Sequence, residues 1–176
     1  GIYTQSSDYK IIDLDVASLY PSLSITNNFY PEHLGEPFVK VYKDIIDQRM
    51  MAKKAGNMTI SDALKLSANS VYGKSNDENS FLYDSRFTMQ ITINGQLLLS
   101  MLAEKLNLEC GDIQMLQINT DGLTVKIHKD YIDKYYQICK EWEVLTKLNL
   151  EYVEYSKMII ADVNNYTAIT TKGKIK

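Results

Sequence analysis

Residues 113–127, IQMLQINTDGLTVKI, read as two short apolar runs, Ile113 to Ile118 and Leu123 to Ile127, around the tip Asn119-Thr120-Asp121-Gly122. A polar, glycine-ended tip between such runs is a strong hairpin signal. Working outward, Lys10 to Val16 (KIIDLDV) mixes β-branched apolar residues with alternating acids and predicts a strand. It runs into the turn-prone ASLYPS, where Pro21 is expected to break it. The last stretches, VEYSKMIIADV at 153–163 and NYTAIT at 165–170, are also strand-like.

Helices fill the intervals. Tyr42 to Ala55 carries apolar residues at helical spacing and stops at Gly56-Asn57, and a second helix is expected from Ser61, as N-cap, to Gly73. Joined by a short turn, the two predict an antiparallel helical hairpin. Arg86 to Leu108 is a longer amphipathic helix, with Met89, Ile93, Leu97 and Met101 on one stripe, Leu98, Leu102 and Leu106 beside it, and Gly111 closing it. Asp130 is expected to cap a third long helix with Tyr131, Tyr135, Ile138, Trp142 and Leu145 on its face.

The order is strand, helical hairpin, helix, strand, strand, helix, strand. It predicts an α+β fold: a ferredoxin-like split βαβ with an antiparallel sheet, formed by 1–39 and 76–176, and a helical hairpin at 40–75 inserted in the first crossover. A right-handed crossover makes the first two strands parallel and the third antiparallel to both. Asp15 at the end of the first strand is then brought beside Asp121 at the hairpin tip, although the two are far apart in sequence.

Composition sets the bounds. The 176 residues are 45% hydrophobic and 23% charged, which excludes a disordered chain and suits one domain with a real core, or one domain carrying a small insertion. No apolar run approaches the ~18 residues of a membrane span, and no basic-then-apolar leader is present, so a soluble, unexported, cytoplasmic protein with no membrane partner is expected. Cys110, Cys139, His33 and His128 are too few and too scattered for a disulfide framework or a zinc site, and a reducing compartment fits. Net charge is −3, yet Lys40 to Ser75 holds seven basic residues against three acidic ones, a local +4 that leaves −7 for the remainder. Such a division suits a site that holds metal ions and phosphates together.

Asp15 and Asp121, converging at one sheet edge, could hold a pair of divalent ions, for which magnesium needs few protein ligands. An Asp in a Thr-Asp-Gly tip is also an ordinary turn-former. Asp13 points the same way as Asp15 and is either a further ligand candidate or a solvated edge residue. On the helical hairpin, Arg49 and Lys53 are spaced i, i+4, and Lys65, Asn69 and Tyr72 are spaced i, i+4, i+7, so each set lines one face without acidic partners. Facing cations of this kind could grip a polyphosphate, or they could be a solvated surface.

DVASLYPS (Asp15 to Ser22), KLSANSVYG (Lys65 to Gly73), NTDG (Asn119 to Gly122) and RMMAK (Arg49 to Lys53) resemble, in order and spacing, motifs A, B and C and the fingers Arg/Lys pair of family B DNA polymerases. Phrases such as NNFYPEHLG and TINGQLLL are similar to phage members. The resemblance implies a palm at 1–39 and 76–176, fingers at 40–75, and template-directed DNA synthesis on primer–template DNA with deoxynucleoside triphosphates. It implies Asp15, Asp121 and the Val16 carbonyl as holders of two Mg2+ ions, with Mn2+ able to substitute. Ser18 and Leu19 would offer amides to the triphosphate, Tyr20 would be the steric gate, and Arg49, Lys53 and Lys65 would bind phosphates. Lys65 is also implied as a general acid, while Asn69, Tyr72 and Gly73 would line the nascent base pair.

Departures are visible. Asn119 stands where the family has the first acid of motif C, and Gly122 where it has serine. The Lys-Lys element that contacts primer corresponds to Val163-Asn164-Asn165-Tyr166, without its lysines, so Asn164, Asn165 and Tyr166 become the weaker DNA-binding candidates. The exonuclease and thumb domains of the family have no room in 176 residues. They are expected elsewhere in a parent chain, and the isolated segment is expected to be weak or inactive. The alternative function is a catalytically impaired, polymerase-like DNA-binding or scaffold fragment.

Overall fold

The computed structural model describes residues 1–162 and 164–176. It resolves into two compact units, one made of 1–17 and 96–176, the other of 18–95. Among the described residues no helix is long and apolar enough to cross a membrane.

The first unit is a sheet with helical cover. Its strands are β1 (Ile2–Thr4), β2 (Tyr9–Val16), β3 (Ile113–Ile118), β4 (Gly122–His128), β5 (Leu150–Asp162) and β6 (Asn165–Thr170), in the order β1-β5-β2-β4-β3 with β6 also on β5. Every pairing is antiparallel. Because β4 lies between β2 and β3, those two strands run the same way and β4 opposes both, the split arrangement the sequence predicts. The fold is α+β.

Alternation along β2 divides the sheet's two sides. Ile12, Leu14 and Val16 are buried, and Leu14 and Ile12 stand in register with Leu123 and Val125 of β4, also buried. Asp13 and Asp15 face the other way, beside a small cluster of Ile11, Tyr155, Met158 and Ala168. Helix α4 (Ser85–Glu109) enters this unit from residue 96 onward and α5 (Ile132–Thr146) belongs to it wholly. Their buried residues are Leu99, Leu102, Ala103 and Leu106 on α4 and Tyr135, Ile138, Cys139 and Trp142 on α5. The Trp142 indole N–H donates to the Leu98 carbonyl at 2.9 Å and ties the two helices together.

The second unit holds α1 (Leu19–Asn27), α2 (Pro37–Lys54), α3 (Met58–Ser75) and the first part of α4. The α2–α3 pair is the expected helical hairpin, joined through the buried Tyr42 hydroxyl, which donates to the Ala68 carbonyl at 2.7 Å. Gly56, at φ 74, makes the turn between them.

Several boundaries differ from the sequence reading, each for a physical reason. Pro21 does not end regular structure; it sits in the first turn of α1, where an N–H would have no helical acceptor anyway. For the same reason α2 opens at Pro37 rather than Tyr42. The cap of α3 is Asn57, whose Oδ1 accepts from the Ile60 amide, so Ser61 lies buried inside the helix and Gly73 does not end it. Asp130 belongs to a short 3-10 turn, Lys129–Tyr131, ahead of α5, and Leu145 is exposed. On α4 the stripe Met89, Ile93, Leu97 and Met101 is the exposed one, and Phe87, Ile91, Leu102 and Leu106 are buried. With apolar residues on two adjoining stripes, periodicity alone does not say which turns inward.

Candidate active site

In the sheet unit Asp15 stands in register with Gly122 at the start of β4. One residue further, the Val16 amide donates to the Asp121 carbonyl at 2.7 Å. Asp15 and Asp121 are thereby held at adjoining strand ends. The turn itself is closed by the Asn119 amide donating to the Gly122 carbonyl at 2.8 Å.

Gly122 has a packing reason to be glycine. A Cβ there would overlap Asp15 Oδ1 and the Leu14 carbonyl oxygen and come within 3.1 Å of Asp15 Cα. The missing side chain is what lets β4 start against Asp15. Next to the turn, Asn119 Oδ1 accepts from Nε2 of the buried β3 residue Gln117 at 2.6 Å.

Asp13 is not a solvated edge residue. It is 6% exposed, and Oδ1 accepts from the Thr124 hydroxyl at 2.6 Å while Oδ2 accepts from the Tyr155 hydroxyl at 2.5 Å and from Lys176 Nζ at 3.2 Å. Its lone pairs are taken by protein donors, which makes it an anchor for the strands around it. Lys176 also approaches Asp15, with Nζ 3.8 Å from Oδ2. Burial works against its charge, yet hydrogen bonding to Tyr155 and the pull of Asp13 hold the Lys176 ammonium above the usual lysine range. Nothing in the sequence pattern marks Lys176, because one of three lysines in the stretch 171–176 reads as solvated.

Asp15 itself is pushed up to about 6, first by desolvation, then by Asp13, Asp121 and Glu151, with Lys176 opposing. Glu151 is its register partner on β5. A half-buried carboxylate among three others is a surplus of negative charge that a hard cation would relieve, and the donors on offer are all oxygen. Among the described residues no group of three or more His, Cys, Asp or Glu side chains is placed to hold a metal ion by itself. Magnesium does not require one, since it keeps waters and substrate oxygens.

The helical unit gathers residues from separate stretches of sequence. Ser18 caps α1 in the left-handed region (φ 49, ψ 53), with no side-chain cap bond. The Arg49 guanidinium donates to Ser18 Oγ, and its buried Nε has no hydrogen-bond partner. Tyr20 and Tyr72 stack, with ring centroids 3.9 Å apart and planes at 25°. The Tyr72 hydroxyl meets Thr92 Oγ1 at 2.7 Å. Lys53 on α2 and Lys65, Asn69 and Gly73 on α3 are exposed, whereas Leu19 is buried, so only its backbone amide could serve a ligand.

Val163 lies outside the described residues. Asn164, at φ 61, makes the turn into β6, where Asn165 and Tyr166 follow. This tip is at the opposite end of β5 from Glu151, and Tyr166 packs partly buried against the Ile11 and Tyr155 cluster. The structure thus leaves these three apart from Asp15.

No protein-family model matches the chain, and no curated protein does. Among solved structures it is similar to the family B DNA polymerase from the hyperthermophilic archaeon Pyrobaculum calidifontis, with a TM-score of 0.72 and 17% identity, covering 99% of this chain and 27% of that one. The likeness is one of fold. This chain has the fold of a stretch of a family B DNA polymerase and spans about a quarter of the length of that enzyme.

Proposed function

We propose that the chain is the palm and fingers of a template-directed DNA polymerase of family B, of the phage kind, that adds deoxynucleotides to a primer 3′-hydroxyl. The observation that carries the reading is the register of Asp15 with Gly122 and the Val16–Asp121 bond, which set two carboxylates at one sheet end. Asp15, Asp121 and the Val16 carbonyl would hold two Mg2+ ions, or Mn2+ in their place, whose charge stabilises the oxygens of an in-line phosphoryl displacement.

The chain's own residues do the remaining work. The Ser18 and Leu19 amides at the α1 N-terminus receive triphosphate oxygens. Arg49, already oriented by Ser18, supplies a fork of donors, and Lys53 and Lys65 supply point charges. The primer hydroxyl gives its proton to solvent and attacks the α-phosphorus, the bond to the β,γ-diphosphate breaks, and Lys65 delivers a proton to the departing pyrophosphate. Tyr20, stacked on Tyr72, fills the space where a 2′-hydroxyl would sit and rejects ribonucleotides by clash. Asn69, Tyr72 and Gly73 line the new base pair, and Asn164, Asn165 and Tyr166 are the weaker candidates for contact with DNA, away from Asp15.

The 27% coverage of the similar polymerase supports exonuclease and thumb domains elsewhere in the same parent chain. Primer extension by the parent protein on annealed DNA with Mg2+ tests the proposal. Extension that disappears in Asp121→Asn supports it; equal extension by that variant contradicts it and favours a scaffold.

A further inference from the structure

The charged group of Lys176 is hydrogen-bonded to buried Asp13 and also approaches Asp15, at 3.2 and 3.8 Å from their respective Oδ2 atoms. Its place is built rather than incidental. The backbone of Lys176 exchanges hydrogen bonds with Ala168 in both directions, at 3.1 and 2.8 Å, which fixes the residue against β6. Nζ lies over the Tyr155 ring at 5.8 Å, and the Tyr155 hydroxyl donates to the same Asp13 oxygen that Nζ reaches. Asp13 is almost fully buried and would be an uncompensated charge without this partner.

We infer that Lys176 is a built-in counter-cation of the Asp13–Asp15 pair: it fixes Asp13 from one side and neutralises Asp15 until a divalent ion arrives, so that ion entry works against a resident positive charge. The inference rests on the proposed metal role of Asp15. It assigns to the C-terminal segment a positioning and tuning part in the site, in a chain whose Asn119 and Asn164-Asn165 positions lack the charges of the motifs they resemble. Two consequences follow. Removing the ammonium should tighten divalent-ion binding, because repulsion of a +2 ion across a few ångström of partly hydrated space is lost; on the order of tenfold is expected at low salt, less at high salt. The same removal should lower the melting temperature of the metal-free protein, and Mn2+ should recover much of that loss.

The test is calorimetric titration of Mn2+ into the 176-residue chain and into its Lys176→Met, Lys176→Arg and Asp15→Asn variants, with thermal melts with and without Mn2+. Asp15→Asn sets the baseline: loss of binding there upholds the metal role of Asp15. Given that loss, tighter Mn2+ binding in Lys176→Met with near-unchanged binding in Lys176→Arg supports the inference. Unchanged or weaker binding in Lys176→Met overturns it while leaving the metal site standing. If Asp15→Asn binds Mn2+ as the unaltered chain does, the metal reading fails and the inference falls with it. A purely structural role for Lys176 would lower the melting temperature without tightening Mn2+ binding, and so counts against the inference.

Discussion

Gly122→Ala is the substitution whose cost can be worked most directly from the geometry. Ordinary van der Waals contact begins near 3.4 Å, and the added Cβ would overlap both Asp15 Oδ1 and the Leu14 carbonyl oxygen. The carboxylate could rotate away, but the carbonyl is backbone, held in the β2–β4 ladder by the Leu14–Leu123 and Asp15–Gly122 register. Relief therefore requires the ladder to open at its end, straining the Val16–Asp121 and Asn119–Gly122 hydrogen bonds. Overpacking of this sort costs about 1–3 kcal/mol, and one weakened backbone bond adds about 1 kcal/mol. A total of roughly 2–4 kcal/mol lowers the Tm of a chain this size by about 4–16 °C. Urea and thermal unfolding followed by circular dichroism measure it, and Mn2+ titration of the same variant reads the displacement of Asp15 as weakened binding. Wild-type stability together with wild-type Mn2+ affinity would refute the packing of Gly122 on Asp15.

Four other outcomes are expected. Gly73→Ala, in the last turn of α3 with nothing within 4 Å of the new methyl, should raise stability by about 0.5–1 kcal/mol in urea melts, while weakening deoxynucleotide incorporation through its proposed place at the base pair. Tyr42→Phe removes a buried hydrogen bond to the Ala68 carbonyl and should cost about 0.5–1.5 kcal/mol, since that carbonyl lies within α3 and keeps its helical amide. The folded-state pKa of Asp15, about 6, lies above its unfolded value of 3.8, so the folded chain binds more protons in between; stability contributed below that window is lost as pH rises through 6. In metal-free melts the wild type should lose more stability over pH 4–7 than Asp15→Asn does, and an identical pH slope in both would contradict the assignment. Tyr20→Ala should admit ribonucleotides in primer extension and release the Tyr72 ring from its stack; unchanged sugar discrimination would remove the gate role.

What could be read from residues alone was set by local chemistry. The hairpin at Asn119–Gly122, the strand at KIIDLDV and the helical pair each carry a short-range signal, and one handedness rule then brings Asp15 to Asp121. The misplaced features were those that depend on packing. Whether Met89 or Ile91 turns inward on α4, and whether Pro21 stops a strand or starts a helix, is decided by neighbours distant in sequence. Asp13 looked like a possible ligand because alternation gives direction but not occupancy; its partners Tyr155 and Lys176 come from the far end of the chain. Lys176 was invisible for the same reason, and the need for glycine at 122 shows only when β2 is laid against the turn.

The central claim is that Asp15 and Asp121 jointly hold divalent ions for nucleotidyl transfer. Crystals soaked with Mn2+ and a deoxynucleoside triphosphate test it at once, through anomalous scattering from manganese. The account predicts anomalous peaks about 2.0–2.2 Å from carboxylate oxygens of both aspartates, with triphosphate density adjoining them. Manganese peaks away from both residues, or none at all with nucleotide bound, would contradict it.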